Sequence, residues 1–232
     1  MRSTAYLALP AATWLLLTAG LSLREAVAQP LPAPVRDQQR RIEKRVESWQ
    51  SLQQKHVVMQ QTDYSCGAAA LATVIRYYWG DPVSEADFLN AILANLSRKE
   101  MQDRIKHGLS MTDLRHAAMS KGYLGSIGKI GIKELTQLKA PVIVRIKKDE
   151  YEHFVVLRGL VNDRIFLADP IRGNLRLSLC EFLQQWTDWT VLVVAKPGAK
   201  LPEDSPLLVR PHSPVQPELQ VARRALVLRP AK

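Results

Sequence analysis

Two hydrophobic rhythms divide the chain. Between Cys66 and Lys121 apolar residues recur every three or four positions, and beyond Tyr123 they gather into short β-branched runs. Cys66–Trp79 places Ala69, Leu71, Val74, Ile75 and Tyr78 on one helical face, and Gly80-Asp81-Pro82 stops that helix. Ser84 and Asp87 form a capping-box pattern that predicts a helix over Glu85–Leu96. A short helix is expected over Ser97–Lys106, ended by Gly108, and Ser110 with Asp113 repeats the capping pattern for Met111–Lys121, closed by Gly122.

After that the period changes. Tyr123–Ile130 reads as extended and Ile132–Leu138 as a short helix. Val142–Ile146, Tyr151–Leu160, Arg164–Ala168 and Asn174–Ser178 read as strands, with Asn162-Asp163 turning between the second and third. Leu179–Trp186 is helical and Thr190–Ala195 is a final strand. A helical N-terminal half packed on a C-terminal antiparallel meander is an α+β fold.

The flanks read differently. Arg2, the apolar run Leu7–Leu21 and the small residues Ala26-Val27-Ala28 make residues 1–28 a secretory signal that leaves Gln29 as the new terminus. Ala5–Leu23 is also nearly long enough to span a bilayer, so the alternative is an uncleaved segment that associates with the inner membrane. Either way the mature domain sits outside the cytoplasm, in the periplasm. Gln29–Val35 is a Pro-rich linker; Arg36–Gln54, with Ile42, Val46, Trp49 and Leu52 spaced three or four apart, predicts an amphipathic helix. This organises the chain as linker and helix over 29–55, one domain over 56–196, and a Pro-rich extended tail over 197–232.

Composition narrows the function classes. With 232 residues, 47% of them hydrophobic, there is enough for one core. The formal net charge of +10 is spread out, gathering only at Arg36–Arg45 and Arg223–Arg229, and no basic run is interleaved with aromatics. That argues against nucleic acid as a partner and favours acidic partners or anionic membrane surfaces. His56, His107, His116 and His212 show no ligand-pair spacing, so no metal or other cofactor is expected. Of the two cysteines, Cys180 lies in Leu-Cys-Glu-Phe-Leu, which reads as a buried helix position, whereas the surroundings of Cys66 look chemical; the expectation is that they do not pair.

The chemistry gathers around Gln60-Gln61-Thr62-Asp63-Tyr64-Ser65-Cys66-Gly67-Ala68-Ala69-Ala70. A thiol at a helix start meets the positive end of the dipole, which favours its thiolate, and Gly67 with the alanines leaves room for a substrate backbone. His153 heads an apolar strand after a polar stretch, where a base can activate the thiol and protonate a leaving amine. Asp169 ends the next strand, and antiparallel pairing can bring it to His153 to fix the ring's tautomer. Gln60 or Gln61 can donate an amide hydrogen to the oxyanion.

With five residues between Gln60 and Cys66, and His153-Phe154-Val155-Val156-Leu157 followed after fifteen residues by Asp169-Pro170, the chain resembles the double-glycine-leader (bacteriocin-processing) cysteine peptidases over about Val57–Ala195. The resemblance implies a papain-like fold, with Cys66 as nucleophile, His153 as general base and acid, Asp169 as its orienter and Gln60 as oxyanion donor. Better-known members are domains of ABC exporters. This chain has no Gly-rich phosphate loop, and carries Ser65 where many transporter members have Asp. It is more similar to the stand-alone, exported branch that includes the peptidase of Fap-type functional-amyloid systems. The implied activity is an exported cysteine endopeptidase acting through an acyl-enzyme on a peptide or protein, including a secreted or amyloid-forming one. The alternative is a papain-like module that binds a secretion partner without cutting it.

Overall fold

A computed structural model describes residues 33–36, 41–44, 47–148, 151–186 and 188–209, and divides the chain into two units at Glu47/Ser48. In the first unit β1 (Ala33–Arg36) and β2 (Arg41–Lys44) pair antiparallel, with Val35 opposite Ile42. The second begins with five helices: α1 (Trp49–Gln54), α2 (Cys66–Tyr77), α3 (Glu85–Leu93), α4 (Arg98–His107) and α5 (Met111–Ser120). There follow β3 (Leu124–Lys129), α6 (Ile132–Thr136), β4 (Val142–Lys148), β5 (Tyr151–Val161), β6 (Arg164–Asp169), β7 (Gly173–Ser178), α7 (Leu179–Gln185) and β8 (Thr190–Ala195).

The expected α+β arrangement is present, with one difference in the sheet. Its order is β3-β8-β4-β5-β6-β7, every neighbouring pair antiparallel, so β4 to β7 form the meander but β8 inserts between β3 and β4. Both faces are covered. Leu71 and Ile75 of α2, Phe88 of α3 and Leu114 of α5 pack with Ile143, Phe154, Val156 and Leu192 in one core. Leu135 of α6 and Phe182 of α7, with Trp186 beyond it, pack with Val144, Val155, Leu157 and Leu167 in the other. Phe154-Val155-Val156-Leu157 therefore supplies both cores in turn, which is why β5 is a continuous apolar run and not an alternating one. Each such side chain, fully buried, contributes about 1.5–3 kcal/mol.

Residues 66–75 of α2 are all buried. The small residues at its start let the helix approach the sheet and α5: a Cβ on Gly67 would lie 2.8 Å from Leu114 Cδ2 and 3.2 Å from Phe154 Cδ2. Gly67 thus makes room for the core, and not for a substrate backbone as the sequence suggested.

Three further expectations are corrected. The amphipathic helix over Arg36–Gln54 is reduced to Trp49–Gln54, with a hairpin upstream. Trp49 and Leu52 are 68% and 41% exposed, and the end of α1 is held to β7 through its backbone, where Asn174 donates to the Gln53 and Lys55 carbonyls, so little apolar burial supports a longer helix. Cys180 is exposed and not buried: α7 turns Phe182 inward, with Leu179 and Leu183 beside it, which leaves position 180 on the outer face. Both cysteines are free. Finally, the chain after β8 does not leave the domain as an extended tail at once. Leu207 is fully buried in the α2-side core, Arg158 donates to the carbonyls of Pro206 and Leu207, and the Ser205 hydroxyl donates to the Tyr77 carbonyl. The signal segment and the end of the tail lie outside the described residues. Among those described, no helix is long and apolar enough to cross a membrane.

Candidate active site

The segment ahead of α2 is held by polar contacts, residue by residue. Val58 N–H donates to Thr73 Oγ1 (2.9 Å), Gln60 N–H to the Pro170 carbonyl (2.9 Å), Gln61 N–H to Glu85 Oε1 (3.1 Å) and Thr62 N–H to Ser65 Oγ (3.2 Å). Thr73, Glu85 and Ser65 are themselves buried, so these donors sit away from solvent, where an unmade hydrogen bond would cost about 1–3 kcal/mol. The result is a fixed approach to Cys66, which is 4% exposed.

Cys66 opens α2 under unusual conditions. Ser65, at the cap position, spends its hydroxyl on the Thr62 carbonyl (2.8 Å) and gives no cap to the helix, and no acidic residue lies in the first turn. Every other described helix has a side-chain cap, an acidic first turn, or both. The partial positive charge of the first turn is thus left uncompensated beside the thiol.

Across from it, β5 and β6 bring the expected base and acid together. Val156 pairs with Ala168, so His153 and Asp169 are diagonal neighbours on one face of the hairpin. His153 Nε2 lies 2.8 Å from Asp169 Oδ1, with His153 5% exposed and Asp169 fully buried. An ionised carboxylate only accepts, so Nε2 carries a hydrogen and, in the neutral ring, Nδ1 is left as the acceptor. Nδ1 is buried without a partner of hydrogen-bond geometry among the described residues, yet the Cys66 thiol is near enough to act on the ring. Burial alone would lower the His153 pKa; the hydrogen bond to Asp169 and the nearby Cys66 thiol, with their charges, outweigh it and hold the imidazole at about 9.

Asp169 is restrained from four directions. Besides His153, its Oδ1 accepts from the N–H groups of Ile171 (2.7 Å) and Arg172 (3.1 Å), and its Oδ2 accepts from Arg172 Nε (2.8 Å). Burial would raise its pKa, but these donors, His153 foremost, hold it at about 2. The Asp-Pro turn also joins the two sides of the site, since the Pro170 carbonyl takes the Gln60 N–H.

Gln60 lies in this assembly, but its side chain is engaged locally: Nε2 donates to the Thr62 carbonyl (2.9 Å), while Oε1 is buried and unpaired. One of its two amide hydrogens remains uncommitted by that bond. Gln61, the rival candidate, is exposed and contributes its backbone to Glu85. Sequence reasoning missed Arg172, three residues past Asp169, and Tyr151, which shares a strand face with His153 at a spacing of two.

A cleft of about 410 Å³ opens beside Cys66, walled by Asp63 and Tyr64, by Ile105 and His107 of α4, and by Lys147 and Tyr151. A wider hollow of about 570 Å³ lies at α7 beside Cys180, walled by Asp163, Leu179 and Leu183 and with no histidine in its lining. The first is the one that adjoins the His153–Asp169 pair, through Cys66 and Tyr151. Among the described residues no group of three or more His, Cys, Asp and Glu side chains is arranged to hold a metal ion.

A helix-borne thiol against a sheet-borne His–Asp pair is the architecture of a papain-like cysteine peptidase, and the sequence profile of the Peptidase C39 family matches residues 54–198. The chain belongs to that family and is a cysteine peptidase. It is 37% identical over 173 residues to the probable functional amyloid protease FapD of Pseudomonas fluorescens, covering 72% of this chain and 74% of that protein. It is 33% identical over 169 residues to the probable functional amyloid protease FapD of Pseudomonas aeruginosa, covering 73% and 72%. Among solved structures, the peptidase domain of Streptococcus ComA, a bi-functional ABC transporter involved in a quorum sensing pathway, superposes with a TM-score of 0.51 at 25% identity. The match covers 60% of this chain and 97% of that one.

Proposed function

We propose that this protein is an exported cysteine endopeptidase that cleaves a secreted, amyloid-forming protein through Cys66, His153 and Asp169. The observation that carries the reading is the uncapped start of α2, bearing Cys66, set beside a buried imidazole whose far nitrogen is tied to Asp169. At neutral pH the imidazole is protonated, and the reacting form of the pair is thiolate and imidazolium. Cys66 Sγ attacks the scissile carbonyl carbon; the oxyanion takes the uncommitted amide hydrogen of Gln60, a contact of about 3 kcal/mol in such sites. As the C–N bond breaks, His153 Nδ1–H protonates the leaving amine and a thioester remains on Cys66. His153 then takes a proton from water, whose oxygen attacks the thioester, releasing the acid and restoring the thiolate–imidazolium pair. Asp169 holds the ring in orientation throughout and stabilises its charge.

The substrate class rests on the two relatives named as functional amyloid proteases. Export to the periplasm rests on Arg2, the apolar run after it and Ala26-Val27-Ala28. In the test, an amyloid-forming secreted protein from the same organism is incubated with the purified enzyme and with Cys66→Ala, and products are read by mass spectrometry. We expect cleavage by the first and a loss of about four to six orders of magnitude in the second. Undiminished proteolysis by Cys66→Ala would overturn the proposal.

A further inference from the structure

We infer that Tyr151 is a positioning residue for the catalytic imidazole: its ring covers His153 on the cleft side and ties the β5 end of the site to the loop ahead of Cys66. The inference goes beyond the triad and rests on that reading. Three observations carry it. Tyr151 stands two residues before His153 on β5, so the two share a face, and their rings stack at 5.7 Å between centroids with 27° between planes. Its hydroxyl donates a long hydrogen bond, 3.4 Å, to the carbonyl of Asp63, across the cleft from its own strand. And although Tyr151 is itself 48% exposed, the His153 ring behind it is almost wholly covered. An aromatic side chain left half in water at the mouth of a cleft, with its face on a histidine, is doing something other than filling a core.

The physical consequence concerns water. The groups that set the charge of His153 arrive from several elements: Cys66 from α2, and Asp169 from β6 with Arg172 behind it. Asp63 lies in the loop ahead of α2, with Lys147, Glu152, Lys106 and His107 along the cleft. The attraction of Asp169 and Cys66 for the imidazolium is strong only while water is kept from between them. Removing the Tyr151 ring admits water at that face, weakens both attractions, and frees the imidazole to swing away from the thiol. Because its partners outweigh burial in setting the His153 charge, wetting the site returns the ring towards ordinary imidazole behaviour and it loses its proton at lower pH.

The experiment uses the full chain in a Cys180→Ser background, so that Cys66 is the only thiol. For wild type, Tyr151→Phe and Tyr151→Ala, the His153 ring is titrated by NMR and the alkylation of Cys66 by iodoacetamide is timed at neutral pH. Tyr151→Leu, which keeps apolar bulk without a planar face, takes the place of alanine if alanine costs the fold by thermal melting. We expect Tyr151→Ala to slow alkylation by roughly 10- to 100-fold and to shift the His153 titration to lower pH. Tyr151→Phe, retaining the ring, should stay close to wild type. A titration in Tyr151→Ala equal to that of wild type would overturn the inference alone. A wild-type His153 that titrates as a free imidazole would overturn the triad reading, and the inference with it.

Discussion

The starts of α5 and α2 meet the same physical problem in opposite ways. At α5, Ser110 accepts the Asp113 N–H (3.1 Å) while the Asp113 carboxylate accepts the Ser110 N–H (2.8 Å), so the exposed amides gain partners and the dipole gains a negative charge. α3 and α4 repeat the device with Ser84–Asp87 and Ser97–Glu100. At α2 the serine is present but turned back into the preceding loop, and no carboxylate follows. In the proposed mechanism the negative charge that complements this helix start is a thiolate at Cys66, an interaction worth about 0.3–1 kcal/mol in ordinary exposed helices and more where water is excluded. On that proposal, the helix start that the other helices cap for stability is in α2 left open for a reacting group.

That contrast can be broken from either end. The larger effect belongs to the His–Asp pair set against α2: Asp169→Asn, at the end of β6, should leave the imidazole without its anionic orienter and lower the cleavage rate by about 10,000-fold. A loss of less than tenfold would mean that Asp169 is a turn residue and not part of the chemistry. The smaller effect belongs to α5. Ser110→Ala removes one half of the capping box and should cost about 1 kcal/mol, a fall of roughly 2–4 °C in Tm, with cleavage unchanged at 25 °C. Equal loss of activity in the two variants would erase the distinction between a capped and a reserved helix start.

Much of this was legible from residues alone, and the exceptions have physical causes. Capping boxes announced α3 and α5, a β-branched run announced β4, and short apolar runs announced β5 to β8, because those signals are local. The spacing of Cys66, His153 and Asp169 and the short turn at Asn162-Asp163 were legible, but the register that sets His153 beside Asp169 was not: it depends on a bulge between Leu157 and Gly159, without which Asp169 would lie opposite Val156 on the other face. The place of β8 between β3 and β4 was not legible, since it depends on pairing across more than forty residues. Nor was the burial of Leu207, in a short Leu-Leu-Val run within a Pro-rich stretch, which packs in the α2-side core and whose carbonyl accepts from Arg158. The α1 region failed for the opposite reason: its pattern was helical, but Trp49 and Leu52 stay largely exposed and bury too little to extend it. Tyr151 escaped because an aromatic at a strand start is ordinary, and its meaning appears only once His153 is seen beneath it.

The charge state of His153 links fold to mechanism. Its pKa, raised from 6.5 to about 9, contributes stability that is fully present below pH 6.5 and is lost as pH rises through about 9. Asp169, depressed from 3.8 to about 2, contributes stability present above pH 3.8 and lost as pH falls through about 2. The two overlap across the neutral range, where the imidazolium is held between Asp169 and Cys66. An NMR titration of the His153 ring in the wild-type protein measures this directly: the account predicts a midpoint near 9, and a midpoint at or below 6.5 would contradict it.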